Sequence, residues 1–326
     1  MSFWDGKKVL VTGGAGFIGS HLVERLIQEN AEVRITDNLE NGSPGNLGSC
    51  RDRIEFIKSD LTQPMSCQLA VRDREIVFNF AARVGGVDYN MKHPATMFTQ
   101  NVLISTLMLE AAREEAVARY LCVSSACVYP RYCTIPTPEA EGFNAEPEPT
   151  NKGYGWAKRI AEIQAQTYAQ EFGMKIAIVR PFNTYGPRDH FEPERAHVIP
   201  AIIRRIFDKE DPLVVWGNGE QTTAFVYVTD VVRGMLLAVE KYPKADPLNI
   251  GTEEEIKIKD LVNLIVKVSG RSPEILFDSS KPSGQPRRNA DVTKARNLIG
   301  YQPSVSLEEG LKKTINWYIN NRENVP

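Results

Sequence analysis

The sequence predicts an α/β fold, a doubly wound parallel sheet with a smaller C-terminal α/β region, on three observations. Short apolar, β-branched runs alternate with helix-length amphipathic stretches through the first half. A strand–turn–helix junction near the N-terminus carries glycines at 13, 16 and 19, three residues apart. Past about residue 183, longer Pro- and Gly-rich loops such as "NTYGPRDHFEPERAH" and "SSKPSGQPRRN" separate shorter elements. Alternation of this kind, with strands apolar throughout, is the pattern of a parallel sheet covered by helices on both faces. At 326 residues the chain is long enough for a large core, in one big domain or two interlocked ones.

Taken in order, the first strand is "KKVLVTG" and the junction after it is "GGAGFIGSHLVERL". Gly13 permits the tight turn, Gly16 lets backbone approach a pyrophosphate, and Gly19 lets the helix pack close to the sheet. The helix start, with Phe17 and Ile18, offers free N–H groups to phosphates, the arrangement of a Rossmann-type dinucleotide site. The second strand, "AEVRITD", ends on Asp37, followed by Asn38. A carboxylate there accepts hydrogen bonds from ribose hydroxyls and repels a 2′-phosphate, which selects NAD over NADP; a solvated turn aspartate is the alternative. The third strand, "RIEFIKSD", places Asp60 and Leu61 beside the adenine, and the fourth, "EIVFNFAA", places Ala81 and Ala82 along the pyrophosphate. A helix over "NVLISTLMLEAAREE", a strand "YLCVSSA", a helix over "GWAKRIAEIQAQTYAQEFG" and a strand "KIAIVRP" complete the first domain, residues 1–182. Residues 183–326 form a substrate-binding region, from which 225–251 returns to the main sheet.

Composition excludes several classes. The net charge is −2 with 25% charged residues, which points away from nucleic acid and from an anionic membrane surface. No apolar run approaches the roughly 20 residues that span a bilayer, and "MSFWDGKKVLVTGG" is no secretory signal. Five cysteines at 50, 67, 122, 127 and 133 include no C-x-x-C pair, so no metal site is expected. They read as reduced thiols of a cytoplasmic protein.

The chemistry-bearing residues lie farther on. Tyr154 and Lys158 in "YGWAK" stand four apart on a helix and share one face. Using a phenol of pKa about 10 as a base near neutrality costs about 4 kcal/mol. A lysine ammonium and the positive ring of oxidised NAD supply that kind of shift. Asn183 in "PFNTYGP" and Arg288 in "QPRRNAD" are candidate diphosphate ligands, Arg288 through its planar fork. Arg204 and Arg287 are further candidates, and Trp216 either stacks on a base or fills the core. His21, His93 and His190 read as packing or loop residues.

"TGGAGFIG", "SSACVYP" and "YGWAK", in this order, resemble the extended short-chain dehydrogenase/reductase family of nucleotide-sugar enzymes, over nearly the whole chain. "AARVGG", "SSACVYP", "NTYGPRDHF", "AHVIPAIIRR" and "VVWGNG" are most similar to its GDP-mannose 3,5-epimerase and GDP-L-fucose synthase group. The resemblance implies a Ser125–Tyr154–Lys158 triad, an acid/base pair of Cys127 and His197, a substrate contact at Gly85 and a lysine-to-solvent link at Asn101. It departs at Thr223 in "GNGEQTTAF", where relatives carry an arginine.

That pair gives the thiol at Cys127 a purpose, against its alternative as a small buried hydrophobe. Oxidising a sugar at C4 acidifies the hydrogens at C3 and C5, and inverting either carbon needs an acid and a base on opposite faces. The implied activity is NAD-dependent epimerisation of a nucleoside-diphosphate hexose, with GDP favoured and 3,5-inversion preferred. Simple 4-epimerisation, epimerisation with reduction, and a non-catalytic NAD-binding scaffold are the alternatives. Helices over 100–114 and 155–171 carry broad apolar faces; the resemblance implies that they pair into a homodimer seam, and burial against the chain's own sheet is the alternative.

Overall fold

The six apolar runs of the first half are strands of one sheet: β1 (Lys8–Thr12), β2 (Glu32–Asp37), β3 (Ile54–Lys58), β4 (Ile76–Asn79), β5 (Arg119–Val123) and β6 (Ile176–Pro181). They are seen in a computed structural model that describes residues 2–193, 195–281 and 286–324. Four short strands follow outside this sheet: β7 (Thr184–Tyr185), β8 (Leu213–Trp216), β9 (Thr222–Ala224) and β10 (Val226–Tyr227). The chain then returns, and β11 (Pro247–Ile250) becomes the seventh strand, before β12 (Glu255–Lys257), β13 (Ile275–Asp278) and β14 (Arg287–Arg288). The spatial order is β3–β2–β1–β4–β5–β6–β11, all parallel. Strand order reverses between β1 and β4, and ligands of such sheets bind at the carboxyl ends beside that reversal.

The ten helices among the described residues are α1 (Phe17–Gln28), α2 (Pro64–Val71), α3 (Val87–Lys92), α4 (Pro94–Glu114), α5 (Lys152–Phe172), α6 (Val198–Phe207), α7 (Val228–Lys241), α8 (Ile258–Ser269), α9 (Thr293–Ile299) and α10 (Leu307–Asn321). Period-two alternation along β1 sends Val9 and Val11 to one face and Leu10 to the other. The first face packs against Leu22, Val23 and Leu26 of α1 and Val231, Val232 and Met235 of α7. The second packs against Ala70 of α2, Met108 and Ala112 of α4, and Ala161 and Ala165 of α5. Each fully buried Leu, Ile or Val stabilises the sheet by about 1.5–3 kcal/mol. Covered on both faces, β1 and β4 are apolar at consecutive positions (residues 9–11 and 76–78), whereas edge strand β3 is largely exposed.

A third core joins α6, α8 and α10 through Ile202, Ile203, Leu261, Val262, Leu311 and Ile315. Around it β8 pairs with β13, and β9 lies between β12 and β14. Among the described residues no helix is long and apolar enough to cross a membrane.

Candidate active site

The carboxyl end of β1 opens into the glycine turn. Gly13 has φ +64°, left-handed backbone that a side chain disfavours. A Cβ at Gly19 would lie 2.3 Å from the Gly13 carbonyl oxygen, so only glycine lets α1 start this close to the strand. Gly16 caps α1 without a side-chain hydrogen bond, and the first turn, beginning with Phe17 and Ile18, carries no acidic residue. The N–H groups at this end are therefore left for an anion. Thr12 donates to Asn79 Oδ1 (2.7 Å) and accepts the Ala81 N–H (2.9 Å), tying the ends of β1 and β4 together. Ala81 and Ala82 lie half-buried beside that tie.

Asp37, at the end of β2, is buried to 8% exposure. Its Oδ2 accepts the Ala15 N–H (3.0 Å) and its Oδ1 the Leu39 N–H (2.8 Å). Burial pushes the carboxyl above its ordinary value, and the two N–H bonds hold it back. One donor per oxygen leaves lone pairs for two ribose hydroxyls. Asn38 is exposed, its side chain accepting the Glu40 N–H (3.1 Å). Leu61 is buried, while exposed Asp60 accepts the Thr62 N–H (2.9 Å). The glycine cradle, the uncapped helix end and the buried acid fit a dinucleotide.

The chemical end forms where β5 runs out. Chain alternation turns Ser124 inward, where it donates to Glu162 of α5, and turns Ser125 toward the cleft. Ser125 Oγ accepts the Cys127 N–H (3.1 Å) at the start of a short turn over 126–128. Gly155, in the first turn of α5, presses on that turn: a Cβ there would lie 2.5 Å from the Cys127 carbonyl oxygen. This close approach brings Tyr154 against both Ser125 and Cys127. Burial, then the nearby Cys127, push the Tyr154 phenol well above its ordinary value, and a hydrogen bond with Ser125 opposes them. Lys158, 5% exposed, donates to the Val123 carbonyl (2.7 Å) and holds its Nζ 5.5 Å from the centre of the Tyr154 ring. Burial draws the ammonium down, while Cys122, Cys127 and Glu162 pull it back up.

Cys127 is half-buried and lines a cavity of ≈ 170 Å³ with Tyr132, Cys133, Glu148 and Arg288. Burial pushes the Cys133 thiol up to about 11. His197 precedes the first turn of α6 with its side chain 71% exposed, its Nδ1 3.9 Å from Asp189 Oδ1. Asp189 holds the imidazole above its ordinary value, and the Arg288 cation acts against it. Arg288 is thus the common neighbour of Cys127 and His197.

On the substrate side, β14 runs parallel to β9 with Arg288 opposite Thr223. The half-buried Arg288 side chain makes no hydrogen bond or ion pair among the described residues. The departure at Thr223 is accounted for locally: its Oγ1 accepts from Asn183 Nδ2 (2.7 Å), which also donates to Ala224 O (3.0 Å). Both amide hydrogens of Asn183 are therefore committed, and a diphosphate there has to displace one of them. Arg287 is locked in a bidentate pair with Glu255. Arg204 reaches Phe191 O (3.2 Å) and Asp208 (3.4 Å). Trp216, 60% exposed at the end of β8, is no core residue. Half-buried Gly85 lies under the Tyr89 ring, where a Cβ would come within 2.6 Å.

Four residues differ from the sequence reading or escaped it. Asn101 makes no hydrogen bond to Lys158: its Oδ1 accepts the Arg83 N–H (2.9 Å) and its Nδ2 donates to Arg83 O (3.0 Å) and Met97 O (2.7 Å), fixing the loop after β4. Glu162 and Arg180 form a buried pair under the site, signalled only by a charge inside the apolar strand "KIAIVRP". Asp189 had no signal beyond its loop.

The profile of the NAD dependent epimerase/dehydratase family matches residues 9–251. GDP-L-fucose synthase of Escherichia coli strain K12 is 32% identical over 97% of this chain and 98% of its own. The solved UDP-glucose 4-epimerase of Thermotoga maritima, with UDP-glucose, superposes with a TM-score of 0.86 at 32% identity, over 96% of this chain and 99% of that one. The UDP-glucuronic acid 4-epimerase of Bacillus cereus, in complex with NAD, does so at 0.82 and 28% identity, over 97% and 98%.

Proposed function

We propose that this chain, which belongs to the NAD dependent epimerase/dehydratase family, epimerises a nucleoside-diphosphate hexose at C3 and C5 through a transient C4 ketone. The observation that carries this reading is the convergence of Ser125, Tyr154, Lys158 and Cys127 where α5 presses on the turn after β5. NAD, the cofactor of the family, supplies when bound the hydride acceptor and later donor, and a positive ring that offsets the burial of Tyr154.

The protein's own residues do the rest. Ser125, whose Oγ accepts the Cys127 N–H and whose hydroxyl bonds the Tyr154 phenol, turns that proton to the sugar oxygen when the substrate enters. Tyr154 takes the proton from the C4 hydroxyl. Lys158, anchored on Val123 O, keeps a positive charge beside the phenol. With a ketone at C4, Cys127 and His197 work opposite faces of C3 and C5, one removing a proton and the other delivering one. Arg288, without a carboxylate partner among the described residues, receives the diphosphate. Gly13, Gly16, Gly19 and Asp37 hold the dinucleotide.

A second reading is favoured by the likeness to the Thermotoga maritima 4-epimerase. There the ketone turns over in the pocket, only C4 inverts, and Cys127 and His197 are spectators. The 32% identical GDP-L-fucose synthase supports GDP as the nucleotide. Phe98 on α4, with Ile163 and Phe172 on α5, leaves apolar surface exposed on two adjacent helices. That surface supports a homodimer, and five free cysteines support a reducing cytoplasm.

Rapid mixing of the NAD-loaded protein with GDP- and UDP-hexoses tests the proposal. A transient absorbance of reduced nicotinamide is expected with the true substrate class. No reduction with any nucleotide sugar would leave a silent NAD-binding scaffold.

A further inference from the structure

We propose that Asp189 is the positioning residue for His197, its carboxylate fixing the orientation and the proton of the imidazole beside the cleft. The inference rests on the proton-transfer role given to His197 above. Four observations carry it.

The Asp189 side chain is 1% exposed, with Oδ1 3.9 Å from His197 Nδ1. Its Oδ1 accepts the His190 N–H (2.8 Å), but the buried Oδ2 has no hydrogen-bond partner among the described residues. A buried carboxylate oxygen without a donor is costly, and the imidazole, 3.9 Å from the other oxygen of the same carboxylate, is the ring donor that faces it. Among the described residues the His197 side chain makes no other hydrogen bond or ion pair. Its backbone starts α6, its side chain makes no cap bond, and the ring is mostly exposed. A proton held on Nδ1 toward Asp189 leaves Nε2 free for a substrate.

Asp189 is itself held firmly. Arg188 adopts φ +67°, sparsely populated for a residue with a side chain. Its guanidinium bonds Glu24 (2.5 Å) and Ser20 (3.2 Å) on α1. His21, also on α1, sits 3.0 Å from the Pro187 carbonyl, and burial brings its pKa down to about 4, so the ring is neutral and its Nε2–H donates. The helix whose N-terminus faces the dinucleotide phosphates thus also fixes the loop that aims the acid/base histidine. The charged groups that face His197 are Asp189 on this loop and Arg288 on β14, which act in opposite directions.

Imidazole proton NMR on the whole protein, with His197→Gln to assign the resonance, tests this without any substrate. Asp189→Asn is expected to lower the His197 titration midpoint by about 0.5–1 pH unit, and Asp189→Glu to restore part of it. In ring-proton exchange, the limb governed by His197 should move to lower pH in Asp189→Asn. An unchanged midpoint overturns the proposal. If Asp189→Asn does not fold, the wild-type midpoint decides: above a free imidazole it supports the pair, at or below it contradicts the pair. A shifted midpoint in a protein that exchanges no sugar protons supports the pair and counts against the functional reading alone.

Discussion

Tyr154→Phe is expected to lower turnover of a nucleotide sugar by about 10²–10⁴-fold, the usual contribution of a positioned acid/base group. The substitution keeps the aromatic ring in place under the turn over 126–128 and removes only the hydroxyl that takes the C4 proton. No neighbour replaces it. Lys158 Nζ is committed to Val123 O (2.7 Å), and Ser125 Oγ already accepts the Cys127 N–H (3.1 Å). NAD affinity should change little, because Gly13, Gly16, Gly19 and Asp37 lie at the ends of β1 and β2. Steady-state rates beside NAD titration check both halves. Turnover within tenfold of the parent would remove Tyr154 from the chemistry.

Glu162→Ala should destabilise the protein by about 3–5 kcal/mol, the cost of leaving a buried charge without its partner. Arg180 and Glu162 have side chains 2% and 0% exposed and share two bonds, at 2.8 and 2.7 Å. Arg180 also donates to Tyr129 Oη (2.9 Å) and Glu139 O (2.7 Å), and Tyr129 passes its proton bond to Asn249 Oδ1 (2.5 Å). Glu162 holds Arg180 above its ordinary range, although burial acts against the charge. The network pins α5 to β5, β6 and β11, the frame on which Tyr154 and Lys158 stand. Urea unfolding of single and double variants reads the effect. Replacing the pair together, Glu162→Leu with Arg180→Met, should recover most of the loss. A single-variant cost below about 1 kcal/mol would mean that Arg180 finds water or another acceptor.

The sheet and the dinucleotide end were legible in the sequence because both rest on local patterns. Runs such as "VLV" in β1 and "IVF" in β4 are apolar at consecutive positions because helices cover both faces, and the sequence reports that directly. The glycines are read from a single local strand–turn–helix, from Lys8 to Gln28. The order Ser125, Cys127, Tyr154, Lys158 was visible only as a likeness of motifs; their meeting depends on Gly155 touching Cys127 O across the chain. Asp189 was not legible at all. Its pairing with His197 requires a loop pinned by Arg188 to Glu24 and Ser20, residues more than 160 positions away. The commitment of Asn183 to Thr223 likewise depends on β9 folding back beside the end of β6.

Hydrogen exchange from solvent tests the central claim most directly. The enzyme, NAD and a GDP- or UDP-hexose are incubated in deuterated water and the recovered sugar is examined by NMR. Deuterium at C3 or C5 is predicted, with Cys127→Ser suppressing it while NAD reduction persists. An epimerised sugar without ring deuterium, or undiminished exchange in Cys127→Ser, would contradict the account.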